Sequence, residues 1–104
     1  MRIPTHRAPT HPGEMLTEEF LRPLNLSPED LAKSLYIPLD QLEALLKQQQ
    51  SLTPALALRL AKYFEMSADF WLNLQLRWDL YHAQQQDAQA LAQIRPRTTP
   101  VYPN

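Results

Sequence analysis

The sequence predicts an all-α protein of five helices, and two features of the chain carry this prediction. Large apolar residues recur every three or four positions along five segments, and no segment shows the alternation of a strand bounded by turns. Two of the ten prolines, Pro28 and Pro54, directly follow a serine or a threonine at the start of such an apolar segment. That order is typical of the first turn of a helix, so these prolines mark helix starts.

The first two helices are predicted at about 13–21 and about 28–35. We expect Pro23 to end the first one, because a proline ring obstructs the continuation of a helix. Ser27 and Pro28 form an N-cap and N1 pair for the second. The hydroxyl accepts a hydrogen bond from a backbone amide that lacks a helical partner, and the fixed φ of proline suits the first turn.

The remaining helices are predicted at about 38–47, about 54–64 and from about 68 to beyond 82. Pro38 is placed at a helix start, Thr53 and Pro54 repeat the cap pair, and Ser67 caps the last helix. Residues 84–93 are rich in glutamine and compatible with helix. They leave two outcomes open, an extension of the last helix or a frayed end.

Proline also marks the two ends of the chain, at Pro4, Pro9 and Pro12 and again at Pro96, Pro100 and Pro103. From this we expect a flexible N-terminal arm over 1–10, one folded domain over 11–93 and a proline-rich tail over 94–104. A chain of 104 residues is long enough for one domain with its own core.

Composition narrows the classes of function. The chain has no cysteine, no apolar run long enough to span a membrane and no apolar N-terminal core of a signal peptide, so we expect a soluble cytoplasmic protein without a membrane partner. The net charge of −1 is unusual for a protein that binds duplex DNA, because such proteins gain affinity from cations near phosphates.

Catalysis is not expected. A chain with a single glycine cannot build a glycine-rich phosphate loop, and no serine is flanked by glycines as in a nucleophile elbow. His6, His11 and His82 are too scattered to form a metal site. We therefore predict no enzyme activity, no cofactor, no metal and no small-molecule substrate.

The second and third predicted helices have the spacing of a helix-turn-helix motif. Only three or four residues join them, and Ala32, a small residue suited to a helix crossing, lies ten positions before Leu42. The outward face of the third helix would then enter the major groove of DNA. The spacing alone also fits a simple helical hairpin in a small bundle, and this alternative stays open.

Three segments together resemble the HigA group of antitoxins, which are helix-turn-helix proteins of the XRE or lambda-repressor-like type. The segments are His11-Pro12-Gly13-Glu14, then Leu52-Thr53-Pro54 with Ala57-Leu58-Arg59-Leu60-Ala61, then Phe70-Trp71-Leu72-Asn73-Leu74-Gln75. The resemblance runs from His11 to about Tyr81. It implies an all-helical homodimer that binds the operator of its own operon and neutralises a RelE-like HigB toxin, usually an mRNA interferase that acts at the ribosome.

On the resemblance, the DNA contacts would come from the helix-turn-helix and its flanks, at Ser27, Lys33, Pro38, Asp40, Gln41, Glu43, Ala44, Lys47 and Gln49. This chain departs from the family pattern in that region. Tyr36 stands where the family usually has a glycine in the turn. After the third helix, Gln48 and Gln49 stand where it usually has glycine and lysine.

The charge of the motif is the second departure. Residues 27–53 carry four carboxylates and two lysines, a net charge of −2. Asp40 and Glu43 would face phosphates unless one of them accepts a hydrogen bond from a cytosine amino group. Gln41 can pair with adenine, and backbone amides at the helix starts can hold phosphates.

The last predicted helix carries apolar residues on two opposite faces. Phe70, Trp71, Leu74, Trp78 and Tyr81 follow one side, whereas Leu72, Leu76 and Leu80 lie about half a turn away. One face would pack on the core of the chain and the other on a second copy or a partner. The residues predicted for the dimer interface are Trp71, Leu72, Leu76, Trp78 and Leu80, and the choice of the inward face stays open.

Two other functions fit the sequence. The first is a solitary XRE-type transcription regulator without a toxin. The second is a protein-interaction module whose helix-turn-helix no longer binds DNA, which the acidic third helix favours.

Overall fold

The structure, a computed structural model, describes residues 8–97. Within this range the chain forms six helices and no strand, which confirms the all-α prediction. Helix α1 has three consecutive parts, an α-helical turn Pro12–Leu16, a π-helical segment Thr17–Leu21 and a last turn Arg22–Leu24. The others are α2 (Pro28–Leu35), α3 (Leu39–Leu46), α4 (Pro54–Phe64), α5 (Ala68–Gln86) and α6 (Ala88–Gln93).

Two predictions about helix number and ends are wrong. Helix α1 continues past Pro23 and ends at Asn25, whose φ of 53° is left-handed. The π-helical segment explains the difference: the amide of Arg22 donates to the carbonyl of Thr17, five residues back. This wider turn makes room for the proline ring, which would otherwise meet a carbonyl in a regular α-helix. The glutamine-rich stretch 84–93 first extends α5 to Gln86 and then forms a sixth helix, α6, none of whose residues is buried.

The predicted caps at the starts of α2, α4 and α5 are confirmed. The hydroxyl of Ser27 accepts from the amide of Asp30 at 3.1 Å, that of Thr53 from Leu56 at 3.2 Å, and that of Ser67 from the amide two residues on at 3.0 Å. Helix α3 differs, because its N-cap residue is Pro38, which has no side-chain acceptor.

One core joins α1 to α5. Its largest fully buried side chains come from all five of these helices and include Leu16, Leu31, Leu42, Leu45, Leu60 and Trp71. Helix α1 packs against both α3 and α5, and α4 packs against α2 and α5. Helix α3 is therefore held from behind by α1 and α2, which leaves its opposite side to solvent.

The single glycine of the chain lies where α1 crosses α3. A Cβ atom built on Gly13 would overlap the carbonyl oxygen of Leu45 and lie 3.2 Å from the Cα of Leu46. No side chain fits between the two backbones, so glycine is required here for the close approach of the helices.

The predicted arm and tail lie mostly outside the described residues. Residues 8–10 and 94–97 are the parts of those segments within the described range, and they carry no helix or strand. None of the helices between residues 8 and 97 combines the length and apolar character needed to cross a membrane.

Candidate nucleic-acid interface

Helices α2 and α3 form a helix-turn-helix pair joined by residues 36–38. Ala32 and Leu42, the two residues that predicted the motif, are 3% and 0% exposed. The small side chain of Ala32 lets the two helices approach, and Leu42 fills the space beneath the crossing. The predicted register is therefore the one that the structure has.

The turn between the two helices adopts a conformation that glycine favours, although its residue is Tyr36. The backbone angles of Tyr36 are φ 58° and ψ 46°, and its side chain is 87% exposed. A left-handed backbone costs a residue with a Cβ atom about 1–2 kcal/mol. The turn therefore keeps the left-handed geometry that a glycine would favour, although the residue there is a tyrosine.

Three hydrogen bonds hold this turn in place. The amide of Tyr36 donates to the carbonyl of Lys33 and that of Ile37 to the carbonyl of Ala32, both at 3.1 Å. Together they form a Schellman motif, in which half-buried Ile37 packs against the core. In addition, Nη1 of Arg59 on α4 donates to the carbonyl of Leu35 at 3.1 Å. The direction of the Cα–Cβ bond of Tyr36 is thus fixed by the backbone around it.

The nine residues predicted to contact DNA lie on α2, α3 and the segments that flank them. Ser27, Glu43 and Ala44 are half-buried, and the other six, Lys33, Pro38, Asp40, Gln41, Lys47 and Gln49, are exposed. On α3, Asp40, Glu43, Ala44 and Lys47 share one face, with Gln41 at its edge. This is the face that α1 and α2 leave open.

The segment that follows α3 repeats the geometry of the turn. Gln48 has a φ of 61°, its amide donates to the carbonyl of Leu45, and the amide of Gln49 donates to the carbonyl of Ala44 at 2.9 Å. Gln48 therefore occupies a left-handed position at the end of the helix, as expected for the residue that replaces a glycine. The side chains of Gln48, Gln49 and Gln50 are exposed.

Charge on this surface is unpaired and negative in balance. Among residues 8–97 one ion pair is present, between Glu18 and Arg22 on α1, and both of its side chains are exposed. Asp40 and Glu43 are thus not neutralised by Lys33 or Lys47. Any binding of a polyanion here must rely largely on neutral donors, meaning amide side chains, hydroxyls and backbone N–H groups.

A buried glutamine, which our sequence analysis did not identify as a functional residue, connects the loop after α3 to α5. Gln75 is 6% exposed, its Oε1 accepts from the amide of Leu52 at 2.7 Å, and its Nε2 donates to Asp79 at 2.9 Å. Both polar ends of this buried side chain are hydrogen-bonded, and the bond to Leu52 ties the loop after α3 to α5. Gln75 lies four residues after Trp71 and therefore on the same side of the helix, and this spacing is the sequence feature that could have predicted its burial.

A buried histidine, His11, connects the start of α1 to α5. It is 2% exposed, its Nδ1 accepts from the amide of Gly13 at 2.9 Å, and its ring meets that of Trp78 edge to face at 4.8 Å. Desolvation by burial lowers the pKa of His11 below its ordinary value, although Asp79 and Glu14 oppose the shift. The neutral ring thus caps α1 next to the contact between Gly13 and α3.

The structure also decides which face of α5 points inward. Trp71 is 0% exposed and Leu74 and Trp78 are half-buried, whereas Leu76 and Leu80 on the other face are 53% and 51% exposed. The prediction that Trp71 lies in a dimer interface is therefore wrong. Its ring is enclosed by its own subunit, 5.1 Å from Phe20 and 5.2 Å from Phe70 between ring centroids.

The other residues predicted for the dimer interface divide between the two faces. Trp78 lies on the inward side between His11 and His82, with ring centroids 4.8 and 4.5 Å apart. Leu72 is half-buried and adjoins the exposed pair Leu76 and Leu80. An interface on the outward face of α5 therefore stays a prediction for these three leucines.

Comparison with known proteins identifies relatives that share this architecture. No family model matches the chain. A helix-turn-helix-type transcriptional regulator of Haemophilus influenzae is 41% identical over 93 residues, which cover 86% of this chain and 86% of the relative. Among solved structures, a HigA-family addiction module antidote protein from Coxiella burnetii is 38% identical, with a TM-score of 0.82. The match covers 88% of this chain and 100% of that protein.

A second solved structure is that of the antitoxin HigA of Pseudomonas aeruginosa with the higBA promoter. It is 35% identical to this chain, with a TM-score of 0.81, and the match covers 85% of this chain and 97% of that one. The six-helix architecture with its helix-turn-helix is thus the fold of these antitoxins.

Proposed function

The chain belongs to the HigA family of helix-turn-helix proteins, and from this we propose that it is the antitoxin of a type II toxin–antitoxin pair. In this role it represses its own operon as a dimer and neutralises a RelE-like HigB toxin. The observation that carries the proposal is the solvent-exposed face of α3. The Pseudomonas aeruginosa antitoxin HigA, solved with the higBA promoter, has the same fold.

Operator binding would place α3 of each subunit in successive major grooves. In helix-turn-helix dimers the two recognition helices lie about 34 Å apart, so the operator is two-fold symmetric. Gln41 suits adenine, which it can contact through two hydrogen bonds, and Asp40 or Glu43 suits the amino group of cytosine. Lys33, Lys47 and the amides at the start of α2 would hold phosphates.

Dimerisation would use the outward face of α5. Leu76 and Leu80, one turn apart and each about half exposed, form an apolar stripe together with half-buried Leu72. An exposed apolar stripe is typical of an interaction site, and a second copy of the chain can cover it by a symmetric contact.

Toxin neutralisation rests on the family membership. The partner would be the product of an adjacent short reading frame of basic, RelE-like character, and co-purification of the two proteins from one expression strain tests the pairing. A neighbourhood without such a frame would instead indicate a solitary regulator.

The experiment that tests DNA recognition is a fluorescence-anisotropy titration of the protein against the DNA upstream of its own reading frame, with scrambled DNA as the control, at several salt concentrations. We expect the upstream DNA to be preferred by at least about 10³-fold. Equal binding to both DNAs would contradict repression.

A second candidate is favoured by one observation, the net charge of −2 over residues 27–53. In that case α2 and α3 would recognise a protein instead of DNA. The double variant Asp40→Lys with Glu43→Lys would then create only weak binding that depends steeply on salt and does not distinguish the two DNAs.

A further inference from the structure

We propose that Tyr36 contacts DNA, with its phenol donating a hydrogen bond to an operator phosphate at the edge of the groove that α3 enters. The inference rests on the proposed operator binding and adds to it a residue that is not among the nine predicted DNA contacts. Three independent observations support it: the conformation of Tyr36, its exposure, and the net negative charge of the helix-turn-helix that contains it.

The conformation is unfavourable for tyrosine and yet firmly held. Tyr36 has a φ of 58°, and its backbone is fixed by the Schellman bonds at the end of α2 and by the bond from Arg59 to Leu35. Backbone strain of this kind persists where the surrounding structure imposes it, and it concentrates at binding sites. The fold demands the left-handed turn, but it does not demand a tyrosine there.

Exposure shows that the ring does not stabilise its own subunit. At 87%, Tyr36 exceeds the other exposed large apolar side chains between residues 8 and 97, the next being Ile94 at 66%. In this part of the chain its ring is paired with no other aromatic ring, unlike those of Tyr63 and Tyr81. A large rigid side chain with one polar end is thus presented to whatever approaches the turn.

The position of Tyr36 next to α3 determines which part of the DNA would lie near its side chain. Tyr36 lies three residues before Leu39, the first residue of α3. In helix-turn-helix complexes the N-terminal residues of the recognition helix reach base edges and the preceding helix crosses the sugar–phosphate backbone. The turn between the two helices therefore lies beside that backbone.

Charge explains why a neutral donor is needed at this place. The motif has two lysines against four carboxylates, and none of the six forms an ion pair within residues 8–97. Tyrosine hydroxyls donate to phosphate oxygens without adding a cation, and they are among the usual phosphate contacts of DNA-binding proteins.

The test compares two variants with the wild type on the upstream promoter DNA. Tyr36→Phe removes only the hydroxyl and Tyr36→Gly removes the whole side chain together with the strain. We expect each to weaken binding about tenfold, since the lost bond is to a charged group. The slope of log Kd against log salt should stay unchanged, because no cation is lost.

The glycine variant should also unfold at a higher urea concentration than the wild type, so its loss of affinity cannot come from a damaged fold. Glu65→Gly is the matched control, because Glu65 holds the same left-handed position at the end of α4, with a φ of 54°. It should raise the urea midpoint without weakening DNA binding, and Glu65→Gln accounts for the lost charge.

A scan of the promoter with single neutral methylphosphonates locates the contact. One position should weaken the wild type and leave Tyr36→Phe unaffected. If the wild type prefers its promoter but both Tyr36 variants bind as tightly, the inference is wrong and the proposed function stands. If only Tyr36→Gly binds weakly, the hydroxyl is not the contact and the proposal is overturned. If the wild type shows no preference for the promoter, the proposed function fails, and this inference fails with it.

Discussion

Four residues between positions 8 and 97 hold a left-handed backbone without being glycine, and each follows the end of a helix: Asn25, Tyr36, Gln48 and Glu65. The only glycine of the chain is used elsewhere, at the contact between α1 and α3. The helix ends are thus stabilised by Schellman-type hydrogen bonds against the strain of their own side chains. At Tyr36 the strained residue carries a large side chain that faces solvent beside α3, and a contact made by this side chain would explain why the position is not a glycine.

His11 makes the stability of the fold depend on pH. Burial lowers the pKa of His11 below 6.5, so the unfolded chain takes up a proton before the folded chain does. The free energy of unfolding should therefore fall as the pH drops below about 6.5, and the loss should stop below the folded-state pKa. Urea unfolding at about pH 7.5 and about pH 5.5 measures this dependence.

The matched variant for this prediction is His11→Asn, which keeps an N-cap acceptor for Gly13 but does not titrate. It should lose less stability between the two pH values than the wild type does. An equal loss in the wild type and in His11→Asn would show that His11 is not the group responsible.

At the scale of helices, the starts were predictable and one of the ends was not. Ser27, Thr53 and Ser67 mark starts because a cap is a local bond between a hydroxyl and an amide two or three residues on. The end of α1 depends on a π-helical segment that relieves Pro23, and no residue type announces such a segment.

The inward face of α5 was not predictable for a different reason. Both faces are apolar, so the pattern indicates that two surfaces exist without assigning them. Trp71 is buried because Phe20 of α1 and Phe70 lie against it, and the first of these contacts joins residues separated by about half of the chain. By contrast, the register of α2 and α3 followed from Ala32 and Leu42, which are only ten positions apart in sequence.

The contact between α1 and α3 predicts the effect of Gly13→Ala. Alanine is the better helix former by about 1 kcal/mol, so propensity alone would stabilise α1. The Cβ atom would instead overlap the backbone of Leu45, and we expect a net loss of about 3 kcal/mol in the free energy of unfolding. Urea titration followed by circular dichroism measures it.

Glu14→Ala serves as the control, since it adds a helix former at the exposed next position without entering the contact. Because α3 would be displaced, Gly13→Ala should also bind promoter DNA more weakly than Glu14→Ala does. A Gly13→Ala protein that is as stable as the wild type would mean that the two helices are not in backbone contact.

At the scale of the whole molecule, the proposed dimer face on α5 and the proposed DNA-binding face on α3 would depend on each other. Two half-sites about one DNA turn apart are bound together only if the two subunits are linked, and the linkage raises affinity by at least about 10²-fold through effective concentration. Leu76→Asp places a charge in the middle of the proposed interface. It should therefore convert a dimer into a monomer in sedimentation velocity and weaken promoter binding by at least that factor.

Leu58 provides the comparison that makes this test specific. It is a leucine on α4 with 64% exposure against 53% for Leu76, so Leu58→Asp adds the same charge at an equally accessible place. If Leu58→Asp stays dimeric and binds promoter DNA almost like the wild type, the effect of Leu76→Asp belongs to the α5 face and not to added negative charge. If Leu58→Asp produces the monomer and Leu76→Asp does not, the dimer is built on α4, and the two recognition helices must be spaced by a different contact.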